Sequence, residues 1–249
     1  MLPPRFLRIP PDALHRSAKR AAGRWLDYAP VYEAKYHLSR LIVPGWGLLD
    51  PVDHRVCAQH RFAFVHVPKT GGKSIRMSLF GKTGGSCHAP IDLLLSQLPD
   101  EGRGYYVFAF VRNPWDRLHS AYRYLARGGN QGRGDRAYAR RALGDVRGFE
   151  DFLLRWLSPE TIELQPLLWS QSRFLEGRDG RRPDFIGRYE SLGEDFQAVA
   201  QRFGLSGSLT RKNTSPEGKD YRAAYTTKMV DAVAALYPAD VSALGYEFE

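Results

Sequence analysis

The stretch Phe62-Ala63-Phe64-Val65-His66-Val67-Pro68-Lys69-Thr70-Gly71-Gly72-Lys73-Ser74 decides the fold. An apolar run of strand length meets a proline and a paired glycine, and helix-compatible Ser74 to Phe80 follows, closed by Gly81. A strand that turns into a helix N-terminus in this way aims backbone N–H groups and the positive end of the helix dipole at one point. With glycines permitting close backbone approach, the turn reads as an anion-binding loop. The competing reading is a glycine-rich turn with incidental lysines. Against it, Lys69 and Lys73 are two of only eight lysines in the chain.

The same strand-loop-helix pattern recurs twice. Tyr105 to Val111 leads through Arg112-Asn113-Pro114 into a helix carrying Trp115, Leu118, Tyr122 and Leu125 at helical spacing, ended by Gly128 and Gly129. Asp184 to Tyr189 precedes Ser191 and Glu194, an S-x-x-E capping box ahead of Leu192, Phe196, Val199 and Phe203, with Gly204 as the stop. Between them lie an Arg/Gly-rich stretch, Arg127 to Gly148, and a helical Phe149 to Leu157. A polar loop, then a helix with Val230, Val233, Leu236 and Tyr237, closes the chain. Repeated units of this kind predict an α/β fold in three layers, a mostly parallel sheet flanked by helices, with ligands at the carboxyl ends of the strands.

The first loop resembles the second half of a GxxxxGK[ST] loop, but Val67 stands where the first glycine belongs. A nucleoside triphosphatase also needs a magnesium-holding carboxylate after a second apolar strand, and here that strand ends in Arg112. An ATP-dependent small-molecule kinase with a degenerate loop is therefore the second choice. Arg112 is a permanently charged fork at a strand end, Pro114 suits the first helical turn, and Ser120 lies two turns along. The alternative pairs Arg112 with Asp116 and leaves Ser120 a surface hydroxyl. Two anion sites at adjacent strand ends suggest a nucleotide with phosphates at both its 5′ and 3′ positions.

Composition sets the frame around these loops. The chain has 249 residues, 43% hydrophobic and 25% charged, with a formal net charge of +9, values of an ordinary globular protein with a basic balance. Arginine supplies 28 of the 36 basic residues, and such a surplus usually meets an anion. Cys57 and Cys87 are too few for a disulfide framework and form no zinc pattern, so both read as reduced thiols and no metal is expected. There is no run of 18 apolar residues and no secretory signal order, which predicts a soluble, cytoplasmic protein. Residues 1–59 are proline-punctuated, with a helical stretch from Asp12 to Tyr28. They read as a basic extension packing on the core, or as an amphipathic helix on a membrane surface.

FVHVPKTGGKS together with FAFVRNPWDRLHSAY resembles the paired signature of the carbohydrate-type "family 2" sulfotransferases, which use 3′-phosphoadenosine 5′-phosphosulfate (PAPS) and release PAP. The similarity continues through FIGRYESLGEDF to the terminal YRAAYTTKMVDAVAALYPADVSALGYEF, covering residues 60–249 as the sulfotransferase domain. The resemblance implies a P-loop NTPase-like sulfotransferase fold. Pro68, Lys69, Thr70, Gly71, Gly72, Lys73 and Ser74 would wrap the 5′-phosphosulfate, with Lys69 on the bridging oxygen. Lys73 departs from the pattern, which carries Thr there. Arg112 and Ser120 would hold the 3′-phosphate, Tyr189 would lie near the adenine or else be a core tyrosine, and Arg211 and Lys212 would close over the nucleotide. His88 matches a catalytic histidine, with Asp92 and His119 in reserve, while His66 reads as a core residue. The acceptor implied is a carbohydrate or glycolipid, not nucleic acid. The arginines from Arg127 to Arg147 are left as a solvated surplus, or as a grip on an acidic acceptor or a membrane. Without the transmembrane anchor of Golgi relatives, a bacterial enzyme, cytoplasmic or peripheral at the inner membrane, is expected.

Overall fold

The computed structural model describes residues 51–83, 88–205, 209 and 220–248. The Asp12 to Tyr28 helix, Cys87, Arg211 and Lys212 lie outside the described residues. Helix α1 (Pro51–His60) leads into strand β1 (Phe62–Val65), helix α2 (Gly72–Phe80) and the short α3 (Ile91–Leu95). Strand β2 (Tyr106–Val111) is followed by α4 (Pro114–Ala126), α5 (Arg133–Leu143) and α6 (Phe149–Asp151), which continues as a π-helical turn, Phe152–Trp156. Then come α7 (Pro159–Glu163), α8 (Ser172–Leu175), β3 (Phe185–Arg188), α9 (Leu192–Arg202), α10 (Thr227–Leu236) and α11 (Pro238–Leu244).

The three strands form one parallel sheet in the order β1-β2-β3, with Phe64 beside Phe108 and Phe108 beside Phe185. Because side chains alternate across a strand, this register sorts them by size. Phe62, Phe64, Phe108, Phe110 and Phe185 share one face, and Ala63, Val65, Val107, Ala109 and Val111 share the other. On the aromatic face Phe62 tilts against Phe108 at 5.6 Å and against Phe203 at the end of α9 at 5.1 Å. Phe62, Phe108 and Phe110 are fully buried, and each such side chain contributes about 1.5–3 kcal/mol relative to exposure. Strands shielded on both faces read as continuous apolar runs, which is why the sequence signals were strong here.

Several local expectations change. Half of the Arg/Gly-rich stretch is helical, since α5 occupies Arg133–Leu143 and buries Tyr138 and Leu143. The predicted Phe149 to Leu157 helix is only three residues of α-helix before the π turn. The capping box at α9 does not form: Ser191 Oγ donates to Asp195 Oδ2 at 2.8 Å, and that carboxylate also accepts the Arg188 N–H at 2.6 Å. The charge-assisted bond fixes the hydroxyl on Asp195, and Ser191 makes no side-chain cap hydrogen bond to the first turn. The stops at Gly81, Gly128–Gly129 and Gly204 are in place. Helix α1 is tied to the sheet unit by Asp53, 1% exposed, which pairs with Arg76 of α2 and with Lys82.

Candidate active site

Sheet register brings the two loops together. Since Val65 lies beside Ala109, and Val111 beside Arg188, the residues just past each strand end are neighbours: the Lys69 loop, Arg112 and Tyr189. Their side chains make direct contact. Arg112 Nη1 donates to the Lys69 carbonyl at 3.1 Å, and its guanidinium carbon lies 4.0 Å from the centroid of the Tyr189 ring. The Arg112 backbone is fixed from the other side, where the Gln171 amide accepts from its N–H at 2.9 Å and donates to its carbonyl at 2.8 Å.

Within the first loop, Thr70 Oγ1 donates to the Val67 carbonyl at 2.9 Å and the residue is fully buried, so its hydroxyl shapes the loop and does not face out of it. Lys69 has φ 71°, a left-handed conformation costly for a side-chain residue and concentrated at functional sites. The two glycines prove necessary for reasons internal to the protein. Gly71 has φ +82°, and a Cβ there would come within 2.7 Å of Leu192. A Cβ on Gly72 would lie 1.8 Å from His66 Nε2, so the imidazole occupies the space that glycine leaves. The close approach read from the sequence is therefore made by His66 and Leu192. Gly72, Lys73 and Ser74 open α2, where no side chain caps the helix start and the Ser74 N–H donates to the Gly71 carbonyl at 2.9 Å.

Lys69 sits in a positive pocket. Its Nζ lies 4.6 Å from the centroid of the Tyr124 ring on α4, and the Arg127 guanidinium is 5.5 Å from the same ring. Burial, then the charges of Arg112, Arg127 and Lys73, lower the Lys69 ammonium to about 7. Four cations converge on a small volume, which favours an anion of high charge. Lys73 is exposed and donates to Asn130 Oδ1 at 3.1 Å.

The second loop is more constrained than the sequence suggested. Arg112 Nε donates to Asp116 Oδ2 at 2.7 Å, and its Nη2 is 2.7 Å from the same oxygen. The pairing considered as the alternative reading is thus present. A guanidinium has five N–H donors, and these contacts with the Lys69 carbonyl engage three, leaving two for an anion. Asp116 and Ser120 stand one turn apart on α4, so Ser120 is on the Arg112 side of that helix. Asn113 caps α4 by accepting from the Trp115 N–H.

His88 stands beneath the loop. Its ring is 4.3 Å from that of His66, and its Nδ1 is 2.9 Å from the His66 carbonyl. A carbonyl only accepts, so Nδ1 carries the proton and Nε2 keeps its lone pair. Burial lowers His88 to about 4, with the Lys69 charge acting in the same direction. His66 is 6% exposed, packs on Phe64 at 5.4 Å, and is held well below its usual range first by burial. Asp92 is engaged elsewhere: its Oδ2 accepts the Arg178 N–H at 2.9 Å. His119 packs on Phe149 at 4.8 Å. Cys57 is 2% exposed, and its thiol is pushed up to about 12, first by burial and then by Asp53. No group of three or more potential metal ligands occurs among the described residues.

Tyr124, Asn130 and Gln171 carried no sequence signal, and Arg127 entered the sequence reading only as the first of the arginine-rich stretch. They reach the loops from α4, from the turn after it and from the segment before α8, and only the packing of those elements selects them.

These contacts describe an α/β fold with two linked loops at adjacent parallel strand ends and a cationic side chain from each. The sulfotransferase family model matches residues 52–247, and the chain belongs to that family. The match begins within α1. Neither the curated proteins nor the solved structures give a match.

Proposed function

We propose that the protein moves the sulfuryl group of PAPS to a hydroxyl of a carbohydrate or glycoconjugate acceptor and releases PAP. The observation that supports this reading is the hydrogen bond from Arg112 to the Lys69 carbonyl, which joins the two strand-end loops, with β2 ending in Val111 and running into Arg112. On this reading Pro68–Ser74 receive the 5′-phosphosulfate, Arg112 and Ser120 the 3′-phosphate, and Tyr189, already stacked on Arg112, borders the nucleotide.

The chemistry follows from the protonation states. The acceptor oxygen attacks sulfur as its proton passes to His88 Nε2, and the bond between sulfur and the 5′-phosphate oxygen breaks. Negative charge builds on that departing oxygen. Protonated Lys69 offsets it in a site of low dielectric, where such a contact is worth several kcal/mol. Work in the cytoplasm or against the inner face of a membrane is part of this proposal. No described helix is long and apolar enough to cross a membrane.

Calorimetry tests the nucleotide half: PAP should bind at least about tenfold more tightly than ADP, and Arg112→Ala should remove the difference. Radiolabelled PAPS incubated with fractionated glycans tests the transfer half. Equal affinities for PAP and ADP, or label in no fraction, would overturn the reading.

A further inference from the structure

Arg112 is constrained at its backbone, at one face and along two parts of its fork. Gln171, fully buried, fixes the backbone through hydrogen bonds of 2.9 and 2.8 Å, and its own N–H donates to Asp240 Oδ2 at 2.7 Å. The Tyr189 ring covers a face of the guanidinium, 4.0 Å from its carbon, and Nη1 donates to the Lys69 carbonyl at 3.1 Å. The remaining constraint is Asp116, whose Oδ2 lies 2.7 Å from both Nε and Nη2.

Asp116 differs from the other constraints because it is charged. Nε and Nη2 share one edge of a planar group, so a single oxygen bonded to both sets the direction in which the fork points. Counting N–H groups, one is left on Nη1 and one on Nη2, a pair suited to two oxygens of one phosphate. The turn that bears Asp116 is itself anchored. Asn113 Oδ1 accepts from the Trp115 N–H at 3.1 Å, and the Tyr225 hydroxyl donates to the Trp115 carbonyl at 2.8 Å. Side chains 14% and 21% exposed place the Arg112–Asp116 pair below the open surface, where an ion pair holds its geometry better than a fully hydrated one.

The same carboxylate repels an incoming phosphate. Its effect on charge and its effect on geometry are therefore opposite in sign. The charge weakens the attraction for every anion, whereas the hold on the fork favours only a phosphate that arrives where the two open N–H groups point.

We propose that Asp116 is a positioning residue that makes Arg112 selective for a phosphate on the 3′ oxygen of the ribose against the 2′ isomer of equal charge. The proposal rests on the PAPS reading of the site, in which Arg112 meets the 3′-phosphate. Asp116 decides which phosphate position that arginine accepts.

The test is calorimetry on the full chain with PAP and with adenosine 2′,5′-bisphosphate, which carries the same groups with one phosphate moved to the neighbouring ribose oxygen. The parent should bind PAP at least about tenfold more tightly than the isomer. In Asp116→Ala the ratio should shrink to within about threefold, through weaker binding of PAP and equal or tighter binding of the isomer. Asp116→Asn keeps an oxygen for Nε and should restore most of the ratio. A merely structural role would weaken both ligands together, and loss of the carboxylate charge alone would strengthen both together. Either result leaves the ratio unchanged and would overturn the proposal. A ratio in Asp116→Asn as small as that in Asp116→Ala would overturn it too, by showing that charge and not the hold on the fork sets the preference. A parent that prefers PAP to ADP but not to the isomer would remove the selectivity and leave the PAPS reading standing. Equal affinities of the parent for PAP and ADP would remove the PAPS reading and this proposal with it.

Discussion

Lys69 Nζ stands over the face of the Tyr124 ring, 4.6 Å from its centroid, so a helix from the second strand-loop-helix unit holds a lysine of the first unit's loop. The contact supplies attraction without a carboxylate, which leaves the ammonium available to a phosphate.

Tyr124→Leu should therefore lower kcat/KM about threefold to thirtyfold, the range expected for a partly desolvated cation–π contact. Tyr124→Phe keeps the ring face and should stay within about threefold. Steady-state kinetics on both variants checks this, and a loss in Tyr124→Phe equal to that in Tyr124→Leu would show that the hydroxyl matters instead.

A lysine lowered to about 7 is largely neutral at pH 7.5, and a bound phosphate drives it back to the charged form. PAP binding at that pH should take up roughly 0.7 proton, measurable by calorimetry in buffers of different ionisation enthalpy. Lys69→Met should abolish most of the uptake. Affinity should fall as pH rises above about 7 and hold steady below it.

His88 is lowered to about 4 in the folded protein, against 6.5 for a solvated histidine, so the unfolded chain binds more protons between those values. Stability should thus drop as pH falls from about 6.5 towards 4, with His66 extending the loss in the same direction. Thermal denaturation across this range should show a smaller slope for His88→Gln. The same variant should reduce kcat by about 10²–10⁴ while leaving PAP affinity unchanged.

Gly72→Ala places a methyl where the His66 ring stands, and should destabilise the fold by about 1–3 kcal/mol and weaken PAP binding through the displaced loop. His66→Ala opens that space. In the double variant the added cost of the alanine should largely vanish, a coupling that denaturant melts of the four proteins measure directly.

Asp240 is fully buried, accepts from the Gln171 and Ser172 N–H groups and the Ser172 hydroxyl, and lies 4.0 Å from the buried Arg117. Asp240→Ala removes the partner of an interior cation and should cost about 3–5 kcal/mol. Because Gln171 grips the Arg112 backbone, PAP binding should weaken as well.

The strands, the turn from each into its helix, and the residue types at the strand ends were legible because they are local. Phe62 to Ser74 contains a buried strand, a turn and a helix start, and short-range chemistry fixes all three. The role of the glycines was not legible, since Gly72 is required by His66 across the turn and Gly71 by Leu192, more than a hundred residues on. The capping box failed for a similar reason. Ser191 had the right spacing to Glu194, but the end of β3 placed the Arg188 N–H and the Ser191 hydroxyl on the same Asp195 oxygen.

By itself, the sequence determined that two strand ends carry cations suited to anions, and that these belong to one α/β sheet. Tertiary structure decided that the two loops meet. Parallel register sets Arg112 against the Lys69 carbonyl, Tyr189 against Arg112, and Tyr124 over Lys69. Periodicity along a chain reports which face of an element is buried, whereas a pKa or a stacking contact depends on which elements meet, and only the packed sheet specifies that.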